Sequence, residues 1–273
     1  MEGPQSMLNI QTRNPMIDVE HSDTEPRSLN LLLIDTSSAL CRVGRSVHGQ
    51  LVGERLLEGE NRHSEGLNPM IERLMQETAC DFDSLDGVAV INGPGSYTGL
   101  RIGAAFAKAL VLATHCRLIA VNGLDVLIEQ YRLDGHPIQV GDYLIPMVDA
   151  RRMEVFTQTI RYAEQPLCIH PPGARVLTEA SYNDCVGGTR HFMGNGCVKY
   201  QELRRGVAVD FSERYVQEPG NRMASMANLA TLHYKNGRFV TDDFWQPDYH
   251  KEFYYPEPRQ KQASSLAHRK GTA

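Results

Sequence analysis

Gly93, Gly95 and Gly99, with Ser96 and Thr98 among them, separate an apolar run from Val88 to Asn92 from a long stretch with helical spacing. A strand, a glycine-rich loop and a helix in that order aim loop N–H groups and the positive end of the helix at one point, which is how a chain binds a phosphate. The spacing here is G-x-G-x-x-x-G. A dinucleotide site requires G-x-G-x-x-G, and the Lys-Ser or Lys-Thr of a P-loop does not follow. Two readings stay open: an anion or nucleotide loop of Gly93, Gly95, Ser96, Thr98 and Gly99, or glycines that make tight turns and let the helix approach a neighbour closely.

Asp35 ends a second apolar run and is followed by Thr36, Ser37 and Ser38. A phosphotransferase built on a first-hairpin Asp needs a glycine after it, so that phosphate can lie against the backbone; Thr36 stands there instead, and an Asp that bonds its own turn is the simpler role. His63, beside Ser64 and Glu65, opens a helix pattern without a Ser or Cys identifiable as a nucleophile, which favours structural or interface use. Asp149, Arg151 and Arg152 have the chemistry of a substrate clamp, yet a hairpin corner of mixed charge is more simply a solvated turn, where an ion pair is worth ~0–1 kcal/mol. None of the ten histidines has another within five residues, so no helical ligand pair exists, and the six cysteines form no C-x-x-C pair. No metal and no cofactor is expected.

The elements that would position these residues alternate. Leu29 to Asp35, Ala39 to Ser46 and Gln50 to Arg55 read as strands, the first buried on both faces. Leu67, Met70, Ile71, Leu74 and Met75 form one helical stripe. A strand at Val88 to Asn92, a helix to about Thr114, a strand at Leu118 to Val121 and a helix at Leu124 to Tyr131 follow. Tyr143 to Val148 and Glu154 to Ile160 form a hairpin, trailed by a loop rich in proline (Pro166, Pro171, Pro172), and Arg222 to Lys235 is a last helix stopped by Asn236-Gly237. Three hairpin strands and then strand–helix alternation are the pattern of one lobe of the actin-like, sugar-kinase-like α/β superfold. The expected organisation is a polar tail over 1–28, a first lobe over 29–115, a smaller second lobe over 116–257 whose last helix returns to the first, and a polar tail over 258–273.

A net charge of −5 argues against binding nucleic acid through the chain's own electrostatics. The first 28 residues hold no signal-peptide core and no apolar stretch reaches the length of a membrane span, so the chain reads as cytoplasmic, without a membrane partner.

Gly93-Pro94-Gly95-Ser96-Tyr97-Thr98-Gly99-Leu100-Arg101-Ile102-Gly103 resembles the signature of the TsaB (YeaZ) family of tRNA threonylcarbamoyladenosine biosynthesis proteins. Ile34-Asp35-Thr36-Ser37, Arg62-His63-Ser64-Glu65, Val148-Asp149-Ala150-Arg151-Arg152, Phe192-Met193-Gly194-Asn195-Gly196, and Pro247 with Tyr249 are similar to further family segments in the same order. The resemblance implies the ASKHA, ribonuclease H-like two-lobe fold with a degenerate active site. The catalytic relative of that family, TsaD, holds a metal through two histidines four residues apart; Gly123 and Leu127 stand at the corresponding positions. It further implies a subunit without catalytic residues that docks onto a TsaD-like catalytic subunit, joined by a TsaE-like ATPase, for modification of the adenosine next to the anticodon. tRNA would be met only through the complex, and the same surface would make a homodimer.

The helix surface supplies the expected docking face. Gly99, Gly103 and Ala107 recur every four residues, and Gly inside a helix costs about 1 kcal/mol relative to Ala, so Gly103 implies a close backbone approach. The interface expected is His63, Leu67, Met70, Ile71, Leu74, Arg101, Ile102, Gly103, Phe106, Ala107 and Leu110. Readings from other classes are an actin-like-fold small-molecule kinase or ATPase, a metallopeptidase of the M22 type, and a self-associating scaffold.

Overall fold

Leu31, Leu32, Leu33 and Ile34 have no exposed surface, because the strand they form lies at the centre of a sheet covered on both sides. The computed structural model describes residues 28–59, 63–207, 212–217, 219–242 and 244–249. Its first sheet joins β1 (Asn30–Asp35), β2 (Leu40–Val47), β3 (Gln50–Glu58), β4 (Gly87–Gly93) and β5 (Arg117–Asn122) in the order β3-β2-β1-β4-β5. The β1–β2 and β2–β3 pairs are antiparallel, and β1–β4 and β4–β5 are parallel.

Alternate residues of β1 face different helices. Leu32 and Ile34 pack with Leu67, Ile71 and Leu74 of α1 (His63–Glu77) and Ala107 of α2 (Tyr97–Thr114). Leu31 and Leu33 pack with Met223, Met226 and Ala230 of α5 (Arg222–Lys235). The first sheet extends past residue 115, the end given to the first lobe: β5 makes a parallel ladder with β4 from Gly87–Arg117 to Gly93–Asn122, and α5 packs on the face of Leu31 and Leu33.

The second sheet repeats the first. β6 (Tyr143–Asp149), β7 (Glu154–Arg161), β8 (Leu167–Val176), β9 (Arg190–Met193) and β10 (Glu213–Val216) lie in the order β10-β9-β6-β7-β8, three strands antiparallel and the last two parallel. α4 (Cys197–Leu203) packs on β6 and β10. Where a proline-rich loop was expected, β8 is an edge strand, where missing N–H donors are tolerated, and its register with β7 slips across Pro171 and Pro172. α3 (Gly123–Leu133) joins the halves, with Val126 in the first core and Leu127, Ile128 and Tyr131 in the second.

α3 is also fastened to the second half by a buried chain of polar groups. The Tyr131 hydroxyl donates to His191 Nδ1 (2.7 Å), and His191 Nε2–H donates to Asp142 Oδ2 (2.9 Å). Asp142 further accepts the N–H groups of Thr189 and Gln139. Burial, with help from Arg214 and His136, pushes the His191 pKa down against the pull of Asp142. A histidine kept neutral when folded binds fewer protons than the unfolded chain, so stability is lost as pH falls through the ordinary value of about 6.5. His233, depressed chiefly by burial, acts in the same direction. Melting temperature is therefore expected to drop between pH 7.5 and pH 5.5, with a shallower slope in His191→Gln; an unchanged slope would remove His191 from this role.

The tails expected at 1–28 and 258–273 lie almost wholly outside the described residues. Among the described residues, no helix is long and apolar enough to cross a membrane.

Candidate functional site

Asp35, the glycine loop, Gly123 and the start of α5 meet at the carboxyl end of the first sheet. Asp35 has no exposed surface. Its Oδ1 accepts the N–H (2.9 Å) and the hydroxyl (2.6 Å) of Ser37, and its Oδ2 accepts Arg222 Nε–H. Arg222 Nη2 also reaches Ser37 Oγ at 3.4 Å. Asn221 fixes the arginine by capping α5, its side chain accepting the Ala224 N–H at 2.9 Å. Burial alone would raise the Asp35 carboxyl; the Arg222 guanidinium and the Ser37 donors outweigh it and hold the pKa below the ordinary carboxylate value. The pair thus favours the charged carboxylate, which accepts three donors from Ser37 and Arg222.

Arg222 was legible only as a helix start, since its partner lies 187 residues away. It also fills the space beside α3: a Cβ added to Gly123 would sit 3.2 Å from the Gly93 carbonyl and 3.5 Å from Arg222 Nη2. Leu127, at the second expected ligand position, is a core residue over Gly194, whose added Cβ would come within 2.8 Å of it. Among the described residues no group of three or more His, Cys, Asp or Glu is placed to hold a metal ion.

The glycine loop faces β1. Ser96 N–H donates to the Ser37 carbonyl (2.7 Å), the Thr36 hydroxyl donates to the Gly99 carbonyl (2.7 Å), and Ser96 Oγ caps α2 by accepting Gly99 N–H (3.3 Å). A Cβ at Gly95 would collide with the Ser37 carbonyl, at Gly99 with the Thr36 carbonyl, and at Gly103 with the Thr36 hydroxyl. Of the two readings of these glycines, close approach is the one this packing explains. Thr98 sits exposed in the first turn of α2.

That contact corrects the expected interface. Gly103 and Ala107 turn inward, onto Thr36 and the β1 core, and His63, Leu67, Ile71 and Leu74 are likewise buried within the chain, none more than 2% exposed. In this chain their surface is taken up by the chain's own core. Arg101 remains exposed, while Met70, Ile102, Phe106 and Leu110 are half-buried at the surface. The outward arc of α2 adds Ala105, Ala109 and Leu112, which the spacing of small residues did not single out; Leu112 is 77% exposed. Between β3 and α1, Arg55, Leu56, Leu57, Glu65, Gly66, Pro69, Met70 and Arg73 line an open groove of ≈ 570 Å³.

On the opposite flank of α2 the chain after α5 forms a strap. Val240 N–H donates to the Leu118 carbonyl (2.9 Å), Lys108 donates to the Trp245 carbonyl, and Asp248 N–H donates to the Asn92 carbonyl (2.7 Å). Tyr249 then packs on Tyr97, ring centroids 4.6 Å apart, with Arg101 over the other ring. In the second half, Asp149 Oδ1 accepts Arg151 N–H (2.6 Å) and Lys199 Nζ (2.6 Å), so the Asp149, Arg151 and Arg152 corner is a turn tied to α4.

Residues 58–171 match the family model of TsaD, tRNA N6-adenosine threonylcarbamoyltransferase. The tRNA threonylcarbamoyladenosine biosynthesis protein TsaB of Haemophilus influenzae is 27% identical over 136 residues, 50% of this chain and 56% of that protein. TsaB of Bacillus subtilis is 30% identical over 135 residues, 49% of this chain and 56% of that protein. The chain thus spans little more than half the length of these relatives. YeaZ from Pseudomonas aeruginosa shares the fold, with a TM-score of 0.62, 21% identity, and coverage of 81% of this chain and 99% of that one.

Proposed function

We propose, from the premise that this chain is related to the TsaB (YeaZ) proteins, that it is a non-catalytic subunit in the biosynthesis of threonylcarbamoyladenosine in tRNA, docking onto a TsaD-type transferase. The observation that carries the reading is the Asp35–Arg222 pair. A buried carboxylate charge-paired with a guanidinium and accepting two donors from Ser37 is spent on holding the chain together rather than on metal-bound water or a phosphoryl group, and the positions expected to hold a metal are Gly123 and Leu127. This weighs against a kinase and a metallopeptidase alike.

The docking face is the outer arc of α2, Arg101, Ile102, Ala105, Phe106, Ala109 and Leu112, with Met70 at its edge. A near-continuous apolar arc on a surface helix is the kind of surface a protein partner covers. A TsaE-like ATPase would join the pair, a homodimer would use the same arc, and the net charge of −5 leaves tRNA contact to the partner.

The test is co-purification with the TsaD-type protein of the same organism and reconstitution of tRNA modification; a full-rate modification reaction without this chain overturns the reading. The isolated protein is also expected to retain no stoichiometric zinc or iron after dialysis and to hydrolyse no ATP. ATP turnover abolished by Asp35→Ala would overturn the non-catalytic assignment.

A further inference from the structure

β3 is the edge of the first sheet, and its outer side is open. The Gly59 N–H donates to the Ala39 carbonyl (3.1 Å), continuing the register that pairs Glu58 with Leu40. Antiparallel ladders alternate, so Gly53, Arg55 and Leu57 exchange their main-chain bonds with β2, while the N–H and carbonyl groups of Glu54, Leu56 and Glu58 point away from the sheet. Among the described residues nothing pairs with them.

Side chains alternate as well. A Cβ added to Gly53 would meet Leu74 and Thr78, so Gly53, Arg55 and Leu57 share the face of α1; one added to Gly44, opposite Glu54, would meet Met223 of α5, so Glu54, Leu56 and Glu58 share the other. Leu56 is 57% exposed there. On the α1 side the edge opens into the groove of Leu57, Gly66, Pro69 and Met70, which is open because Gly66 has no side chain: a Cβ there would strike Leu57. Arg55 and Arg73 line the same groove, about two turns along α1 from Glu65. They share one carboxylate, Glu77, which leaves that end positive. A second copy does not fit this edge. In full overlap, centred on Leu56, two antiparallel copies of 54–58 set Glu54 against Glu58 twice; slipped to centre on Arg55, they set Arg55 against Arg55. Like charges directly opposite destabilise a pair, and a slip the other way, to Leu57, leaves only 56–58 to pair.

We propose that the β3 edge docks an extended segment of another protein, which adds antiparallel to the sheet and carries, opposite residues 58 to 54 in turn, a basic, an apolar, an apolar, an acidic and a basic residue. Its main chain bonds to the outward groups of Leu56 and its neighbours, which gives affinity, and the alternate side chains give specificity. The first apolar side chain enters the groove over Gly66, the carboxylate meets Arg55 and Arg73, and the two basic residues face Glu58 and Glu54. The proposal holds whatever docks on α2.

The probe is the fluorescein-labelled peptide Thr-Lys-Leu-Val-Glu-Lys-Thr, titrated with the full chain and followed by polarisation, with amide exchange of the protein measured alongside. Binding is expected to slow exchange of the Leu56 amide at least tenfold, while Arg55 and Leu57, already bonded to β2, change little. The peptide with Lys and Glu interchanged should bind about tenfold more weakly, since three cross-strand pairs reverse. Leu56→Pro removes an outward N–H and no bond to β2, so that variant should fold and lose the peptide. Glu54→Lys with Glu58→Lys, at two exposed positions, should bind Thr-Glu-Leu-Val-Glu-Glu-Thr in preference to the first probe, a result that does not depend on the proline variant folding. No binding at ~1 mM peptide, an unprotected Leu56 amide, a folded Leu56→Pro protein that still binds, or indifference to the charge exchange overturns the site. A dimer of this chain that Leu56→Pro dissociates would give the edge to a second copy and overturn it too.

Discussion

Arg222→Met is expected to lower stability by about 3–5 kcal/mol, the cost of leaving a buried carboxylate without its counter-charge. Asp35 keeps its two Ser37 donors in that variant, but they do not replace a guanidinium on Oδ2. The pH dependence identifies the cause. In the unsubstituted protein Asp35 is held below its ordinary pKa, so its share of stability is present above about pH 4 and is lost as pH falls through the depressed folded value. Without Arg222 burial dominates, the folded pKa rises above the unfolded one, and stability is lost as pH rises instead. The gap between variant and parent should therefore be wide at pH 7 and narrow toward pH 4. Asp35→Asn combined with Arg222→Met removes the charge and keeps an acceptor for Ser37, and should recover most of the loss. Urea unfolding of the three proteins measures this, and a cost below about 1 kcal/mol at pH 7 for Arg222→Met alone would show that the pair does not organise the cleft.

The partner of Asp35 is where sequence reasoning stopped. The apolar run at Leu31 to Ile34 announces a strand buried on both faces, and the turn at Thr36 to Ser38 announces its end; nothing local to either names an arginine beyond the whole second half of the chain. The first three strands and α1 to α3 were legible because their periods are long and unbroken. β9 and β10 were not, since four-residue strands at Arg190–Met193 and Glu213–Val216 show no period, and β8 was hidden by prolines that an edge strand tolerates. The repeat of strand order between the two sheets leaves no trace in residue identity, because each core is filled differently. Leucine and valine dominate the first, and the rings of Tyr182, Phe192, Tyr200 and Tyr215 pack together in the second. The same ambiguity turned α2 around. Small residues occur on both of its arcs, Gly103 and Ala107 inward and Ala105 and Ala109 outward, and spacing alone ranks the two equally. What separates them is tertiary: Thr36 fills the space over Gly103, and Leu112 at 77% exposure marks the outside.

The orientation of α2 makes a pair of substitutions two residues apart decisive. Ala107 has no exposed surface and packs with Leu32, Ile34, Val88 and Val90. Ala107→Arg would drive a charge into that core without a partner, a class of change that costs more than about 4 kcal/mol and can exceed the stability of a domain. Circular dichroism should report loss of the fold. Ala109 points outward, and Ala109→Arg extends its charge into solvent, where helix propensity changes by only a few tenths of a kcal/mol. That protein should fold and melt within about 2 °C of the parent, since surface substitutions stay within about 0.5 kcal/mol. If the outer arc docks a transferase, the same guanidinium becomes a buried, unpaired charge in the complex, and binding should weaken by at least a hundredfold, or about 2.7 kcal/mol. Sizing with the TsaD-type partner and reconstituted tRNA modification should then fail together for Ala109→Arg, and equally for Leu112→Glu on the next turn. A folded Ala109→Arg protein that binds the transferase at parental affinity would move the docking face off this arc, to the groove lined by Arg55, Leu56, Gly66, Pro69 and Arg73, where Gly66→Glu provides the corresponding test.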